Sequence, residues 1–198
     1  MTGFSTRCCR SLARHASARL ASALLALWLA CACVFAANVG IEVRKASVAI
    51  NDDAYVVDAQ FDIGLTPALE EVLSKGVPLY FTFEFELIRP RWYWFNERVA
   101  YVQQGYRLSY NALTRQYRLG IGNLHQNHAT LAEALSVMSR IRRRQDVDVG
   151  VLRRDGTYIA AMRFRLDTSQ LPKPFQLTAL VAREWNIGSD WYRWTVTP

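Results

Sequence analysis

Residues 77 to 88, VPLYFTFEFELI, put Val77, Leu79, Phe81, Phe83, Phe85 and Leu87 on one side of an extended backbone, with Thr82, Glu84 and Glu86 on the other. Six large apolar groups against a polar edge, at a strict period of two, describe a strand buried on one face. A helix would scatter these side chains around its axis. Residues 55 to 65 repeat the pattern with Tyr55, Val57, Ala59, Phe61, Ile63 and Leu65. Such strands must bury their apolar faces against each other, so the alternation predicts a mainly β fold before any other feature is considered.

Further strands are predicted over residues 41–50, 99–110, 116–122, 175–185 and 190–197. In DVDVGVLRRDGTYIAAMRFR (146–165), a two-residue turn at Asp155-Gly156 predicts a hairpin. Its register would set Val147 against Phe164, Val149 against Met162 and Val151 against Ala160. On the other face Asp148 would meet Arg163, and Asp146 would meet Arg165, which gives both arginines a structural task. Two helices interrupt the strands. In TPALEEVLSKG (66–76), Thr66 is the N-cap, Pro67 the first helical residue and Gly76 the stop. A second helix starts at Thr130 with Glu133 completing a capping box. Its apolar stripe runs through Leu131, Ala134, Leu135, Met138 and Ile141, and Arg140, Arg142, Arg143 and Arg144 are expected to close it against the helix dipole. With about nine strands, two short helices and no βαβ rhythm, the expected architecture is an antiparallel two-sheet sandwich.

The first 36 residues read differently. Arg7, Arg10, Arg14 and Arg19 precede an uncharged run from Leu20 to Ala37, and no acid occurs before it. A basic region, an apolar region and small residues at Val34 and Ala36 predict a secretory signal peptide cleaved before Ala37. Residues 37–198 then form a single β-sandwich-like domain, working in the periplasm. The same run is long enough for an uncleaved anchor, which would tether the protein to the membrane. A lipoprotein cysteine at Cys31 or Cys33 is a third reading, in which Trp28 or Ala30 stands where a leucine-like residue is expected.

All four cysteines (Cys8, Cys9, Cys31 and Cys33) lie in this leader. After cleavage the domain has no disulfide, thiolate metal site or cysteine nucleophile. Without the four leader arginines, Lys and Arg fall from 24 to 20 against 17 acids, and the net charge falls from +7 to +3. That balance, together with export, argues against nucleic-acid binding.

No catalytic motif appears. His125 and His128 in HQNH could supply two metal ligands but lack a third, so no metal or other cofactor is expected. Glu84 and Glu86 share a strand face as a carboxylate pair would, and solvated strand positions explain them more simply. The chain is therefore read as non-enzymatic. The candidate binding residues are aromatic and arginine clusters: Arg89, Arg91, Trp92, Tyr93, Trp94 and Phe95 in RPRWYWF, and Trp185, Trp191, Arg193 and Trp194 near the C-terminus. If RPRWYWF is extended, Trp92 and Trp94 point one way and Tyr93 and Phe95 the other, so one pair is expected to face outward. Such clusters suit protein interfaces and membrane headgroup zones.

The stretches LTPALEEVLSKGVPLYFTFEFELIRPRWYWF and LPKPFQLTALVAREWNIGSDWYRWTVTP resemble a proteobacterial family of exported proteins, domain of unknown function 4390, over about Ile41 to Pro198. The family has no established activity or catalytic residue to carry over. Genes of its members often lie beside a membrane-bound sensor histidine kinase, so the resemblance implies a periplasmic accessory to such a sensor. The expected function is an envelope interaction module contacting a membrane-bound protein, such as that kinase, or the membrane surface. The alternatives are a carrier of a small apolar or anionic ligand held between the sheets, or an unrecognised hydrolase. The sequence does not fix the oligomeric state.

Overall fold

The computed structural model of the protein describes residues 39–51, 54–93, 95–146 and 156–197. The leader and the cleavage site expected from the sequence lie outside these residues. Among the described residues, nine strands form two antiparallel sheets. The smaller sheet has the order β1–β2–β7, made of Gly40–Asn51, Ala54–Gly64 and Arg140–Asp146. The larger has the order β6–β5–β4–β3–β8–β9. Its strands are β3 (Leu79–Arg89), β4 (Glu97–Asn111), β5 (Gln116–Ile121), β6 (Leu124–His128), β8 (Tyr158–Leu166) and β9 (Tyr192–Val196).

The alternation places the core where period-two reading puts it. Phe81, Phe83, Phe85 and Leu87 of β3 are fully buried and face Tyr55, Val57, Ala59 and Phe61 of β2. Phe164 of β8 lies at the centre of a ring cluster, with Phe61, Phe81 and Tyr106 at centroid distances of 5.3, 5.8 and 5.5 Å. In β1 a register shift at Arg44 changes the phase, so that Val43 lies opposite Phe61 while Ala46 and Val48 lie opposite Ala59 and Val57. One extra residue thus keeps the apolar side chains on the same face.

Helix α1 (Pro67–Ser74) follows its sequence signals closely. Thr66 Oγ1 accepts from the Leu69 amide at 3.3 Å and donates to the Glu184 carbonyl at 3.0 Å. At the other end, Gly76 takes φ +87°. Its N–H bonds the Leu73 carbonyl, and the Val77 N–H bonds the Val72 carbonyl. This paired closure requires a residue that tolerates positive φ. Helix α2 (Leu131–Met138) has the expected cap, with Thr130 Oγ1 accepting from the Glu133 amide at 3.2 Å. The Glu133 carboxylate accepts from the Ala129 amide at 3.1 Å, one residue earlier than a standard capping box.

Three expectations fail. The arginines after α2 do not close it: the helix is capped at Ser139, and Arg140, Arg142, Arg143 and Arg144 run along β7, opposite Gln60, Asp58, Val57 and Val56. Ile141 is buried as expected, but as a strand residue opposite Ala59. Secondly, the predicted strand over 175–185 is a third helix, α3 (Lys173–Val181), followed by a 3-10 turn at Arg183–Trp185.

Thirdly, the hairpin register does not form. Residues 147–155, including Asp148 and Asp155, lie outside the described residues, but both flanks of β8 are already paired. Phe164 lies opposite Phe83, Met162 opposite Phe85 and Tyr192, and Ala160 opposite Leu87 and Trp194. Asp146 lies in the smaller sheet, opposite Ala54. Gly156 is not among the positive-φ glycines, so it does not adopt the conformation a type I′ turn requires.

Candidate functional site

Among the described residues of RPRWYWF, only Arg89, the last residue of β3, lies in a strand. Pro90 ends the pairing of β3, because it has no N–H to contribute to a ladder, and pairing with β4 resumes at Glu97. Residues 91–93, 95 and 96 lie at the tip of this hairpin. Trp92, Tyr93 and Phe95 are 94, 68 and 87% exposed, so members of both expected pairs face solvent. Trp94 lies outside the described residues. The inward and outward split was an expectation about strands, and a loop does not impose it. The Trp92 and Tyr93 rings meet edge to face at 5.0 Å, which presents a compact aromatic surface.

The two arginines serve this tip from below. Arg89 Nη1 and Arg91 Nη2 both donate to Glu97 Oε2, at 3.1 and 2.5 Å. Arg89 Nη2 also donates to the Tyr158 hydroxyl at 3.3 Å. One carboxylate holding two guanidiniums fixes the base of the hairpin beneath the aromatic tip.

The C-terminal cluster divides. Trp185 is buried and stacks on Phe175 at 5.6 Å, so it belongs to the core and not to a surface. Trp194 is half-buried against Phe85 at 6.5 Å. Trp191 lies between two cations, with the Arg163 guanidinium 4.5 Å and that of Arg193 5.9 Å from its ring centre. These contacts place Trp191 and Arg193 on the outer face of the larger sheet, well away from the hairpin tip along β8.

The same outer face holds a buried carboxylate. Glu84 accepts from Arg163 Nε at 2.5 Å and from Arg165 Nη2 at 3.1 Å. Arg163 and Arg165 thus have the structural task expected of them, with Glu84 of β3 as partner. Glu86 lies opposite Tyr101 and Ala161, two residues further along the same face. The histidines diverge: β6 is a strand, so His125 faces outward opposite Gly120, while His128 lies opposite Tyr117 on the other face. Among the described residues, no three His, Cys, Asp or Glu side chains come together in a way that could hold a metal ion.

Helix α3 is the surface that the sequence reading missed. Leu177, Leu180 and Val181 are exposed, and only its other side, through Phe175 and Ala179, packs on the core. Its weak amphipathicity was hidden because KPFQLTALV also fits a strand; the signal available was Lys-Pro at a helix start. Among the described residues, no helix is long and apolar enough to cross a membrane.

A family model described as domain of unknown function (DUF4390) matches residues 38–195, and the chain belongs to that family. No curated protein and no solved structure matches it.

Proposed function

We propose that this domain is a non-enzymatic binding module of an exported protein, and that it docks on a membrane-bound envelope protein through Trp92, Tyr93 and Phe95 at the hairpin tip. The observation that carries this reading is the exposure of Trp92, Tyr93 and Phe95 on a tip whose base is fixed by Glu97. Large aromatic groups left uncovered in water are a liability unless something covers them in use. A rigid base lowers the entropy lost when they do so, and Trp and Tyr are the residue types that dominate interface energetics. Export is supported by the leader's basic start and uncharged run, and a sensor histidine kinase is the partner class implied by the family resemblance.

The test is site-specific photocrosslinking from position 95 in whole cells, with the chain carrying its own leader. A crosslink to a membrane-bound protein, lost in a Trp92→Ser/Tyr93→Ser variant whose thermal midpoint is unchanged, would support the reading. Crosslinks to lipid alone would move the contact to the membrane surface. An uncrosslinked tip, or a Ser variant that unfolds, would overturn it. Mass spectrometry of the envelope fraction should find an N-terminus near Ala37; recovery from the cytoplasm would refute export.

A further inference from the structure

Strand register on the outer face of the larger sheet builds a second feature, unrelated to the hairpin tip. Arg107 of β4 lies opposite Gly120 of β5, which in turn lies opposite His125 of β6. Three neighbouring strands therefore set a guanidinium, bare backbone and an imidazole in one row. At the usual strand spacing the outer two Cα atoms stand about 10 Å apart, and the His125 imidazole leans over the glycine between them. Arg118 joins from two residues back along β5, where it lies opposite Ser109.

Gly120 is what makes room for the imidazole beside the two arginines. A Cβ there would lie 2.9 Å from His125 Nδ1 and 3.3 Å from Cε1, so any other residue would push the imidazole off the sheet. The resulting hollow, of about 130 Å³, is lined by Arg107, Ser109, Arg118, Gly120 and His125. A groove of about 280 Å³ adjoins it and shares Arg107, Gly120 and His125, running on over Gly105 and Gly122 past Tyr80 and Gln170. A Cβ on Gly105 or Gly122 would meet nothing within 4 Å, so this floor is open.

The charge in the hollow is uncompensated. Neither it nor the groove is lined by a carboxylate. Among the described residues Arg107 and Arg118 make no ion pair, and Arg107 has only the Tyr80 ring, 5.8 Å from its guanidinium carbon. Glu84, on the same face, is already held by Arg163 and Arg165.

We propose that this hollow binds a phosphate monoester, with the phosphate beside the His125 imidazole and held by Arg107 and Arg118, and the esterified group along the groove beside Tyr80. Two free guanidiniums are neutralised by a dianion, and a phosphomonoester carries about −1.5 to −2 near pH 7. Its three terminal oxygens also match three separate donors, where a carboxylate offers two oxygens and one charge. Guanidinium forks favour such oxyanions, and the missing side chain at Gly120 lets the imidazole lie low on the sheet beside them.

The experiment uses the full chain, with phenyl phosphate and inorganic phosphate as soluble probes and NMR titration as the readout. Phosphatidylcholine vesicles with and without phosphatidic acid form a second arm. The expected result is saturable binding of phenyl phosphate, tighter than inorganic phosphate, and weakened on the order of tenfold or more in Arg107→Gln/Arg118→Gln. Gly120→Ala should weaken it too, with both arginines intact. Arg142→Gln, an exposed arginine of the other sheet, should leave it unchanged. Selective binding of phosphatidic acid vesicles that phenyl phosphate displaces would identify a lipid headgroup as the source, and binding of the soluble probe alone would identify a free phosphomonoester. Loss of affinity equal in Arg142→Gln, or no saturable binding to the unaltered chain, would overturn the proposal. The two arginines are exposed, so their variants stay folded and keep the test decisive even where Gly120→Ala lowers stability.

Discussion

The ion triad at Glu84 should respond asymmetrically to mutation, because its members differ in burial. The Glu84 side chain is only 6% exposed, whereas those of Arg163 and Arg165 are 31 and 39% exposed. Removing both cations, as Arg163→Met/Arg165→Met, strands a carboxylate in the sheet, and breaking a buried pair in this way costs about 3–5 kcal/mol. Loss of the Arg163–Trp191 stack adds about 0.5–1 kcal/mol. Glu84→Gln strands two cations instead, but they are exposed enough to regain water, and the cost falls to about 1–2 kcal/mol. For a domain of this size the two variants should lower the thermal midpoint by roughly 7–24 °C and 2–8 °C respectively. The triple variant Glu84→Leu/Arg163→Met/Arg165→Met leaves no charge behind and should recover most of the loss. Urea unfolding followed by tryptophan fluorescence measures all three, provided the m-value stays constant. The reasoning is refuted if Glu84→Gln is the more damaging change, or if the triple variant is no more stable than the double.

Three further perturbations test local features. Gly76→Val should cost about 1–2 kcal/mol in the same unfolding assay, since a β-branched residue resists φ +87°; an unchanged midpoint would mean the helix end relaxes freely. Thr66→Val, nearly isosteric, should cost about 1–2 kcal/mol by removing both the cap of α1 and the bond to the Glu184 carbonyl, and more than Thr130→Ala, whose cap is exposed. Burial pushes the Tyr106 hydroxyl from 10.0 up to about 12, against the opposing pull of Arg143. The neutral phenol is therefore favoured by folding: its contribution is present in full below about pH 10 and is lost as pH rises towards about 12. Tyr106→Phe should make that part of the alkaline destabilisation disappear, and an unaltered stability profile above pH 10 would count against the burial effect.

Some elements were legible because their signals are local. Thr66, Pro67 and Gly76 mark the two ends of α1, and Thr130 with Glu133 marks the start of α2; each needs only its own few neighbours. The alternation in β2 and β3 identified the core rings for the same reason. What failed was pairing. Arg163 and Arg165 do face a carboxylate on a neighbouring strand, but in the sequence both Asp148 and Glu84 stand in stretches with the right alternation, and period two cannot say which stretch is adjacent. The stop of α2 was missed because Met138 and Ile141 keep helical spacing across Ser139, where the chain turns into β7. At the hairpin tip Pro90 was visible, yet the four aromatic residues after it were read at strand period. The site beside His125 was invisible in sequence, since Arg107, Gly120 and His125 become neighbours only through the registers of β4, β5 and β6.

The order of the larger sheet also has a kinetic consequence. From β3 through β6 each strand pairs with the next in sequence, so that meander closes over short loops and is expected to form early. The other flank of β3 waits for β8, whose Arg163 reaches Glu84 across 79 residues. Until β8 docks, a strand carrying three phenylalanines presents one open edge of unpaired amides and carbonyls. Refolding yield should therefore fall with protein concentration, and a nascent chain halted before Tyr158 should be the species that aggregates or recruits a chaperone.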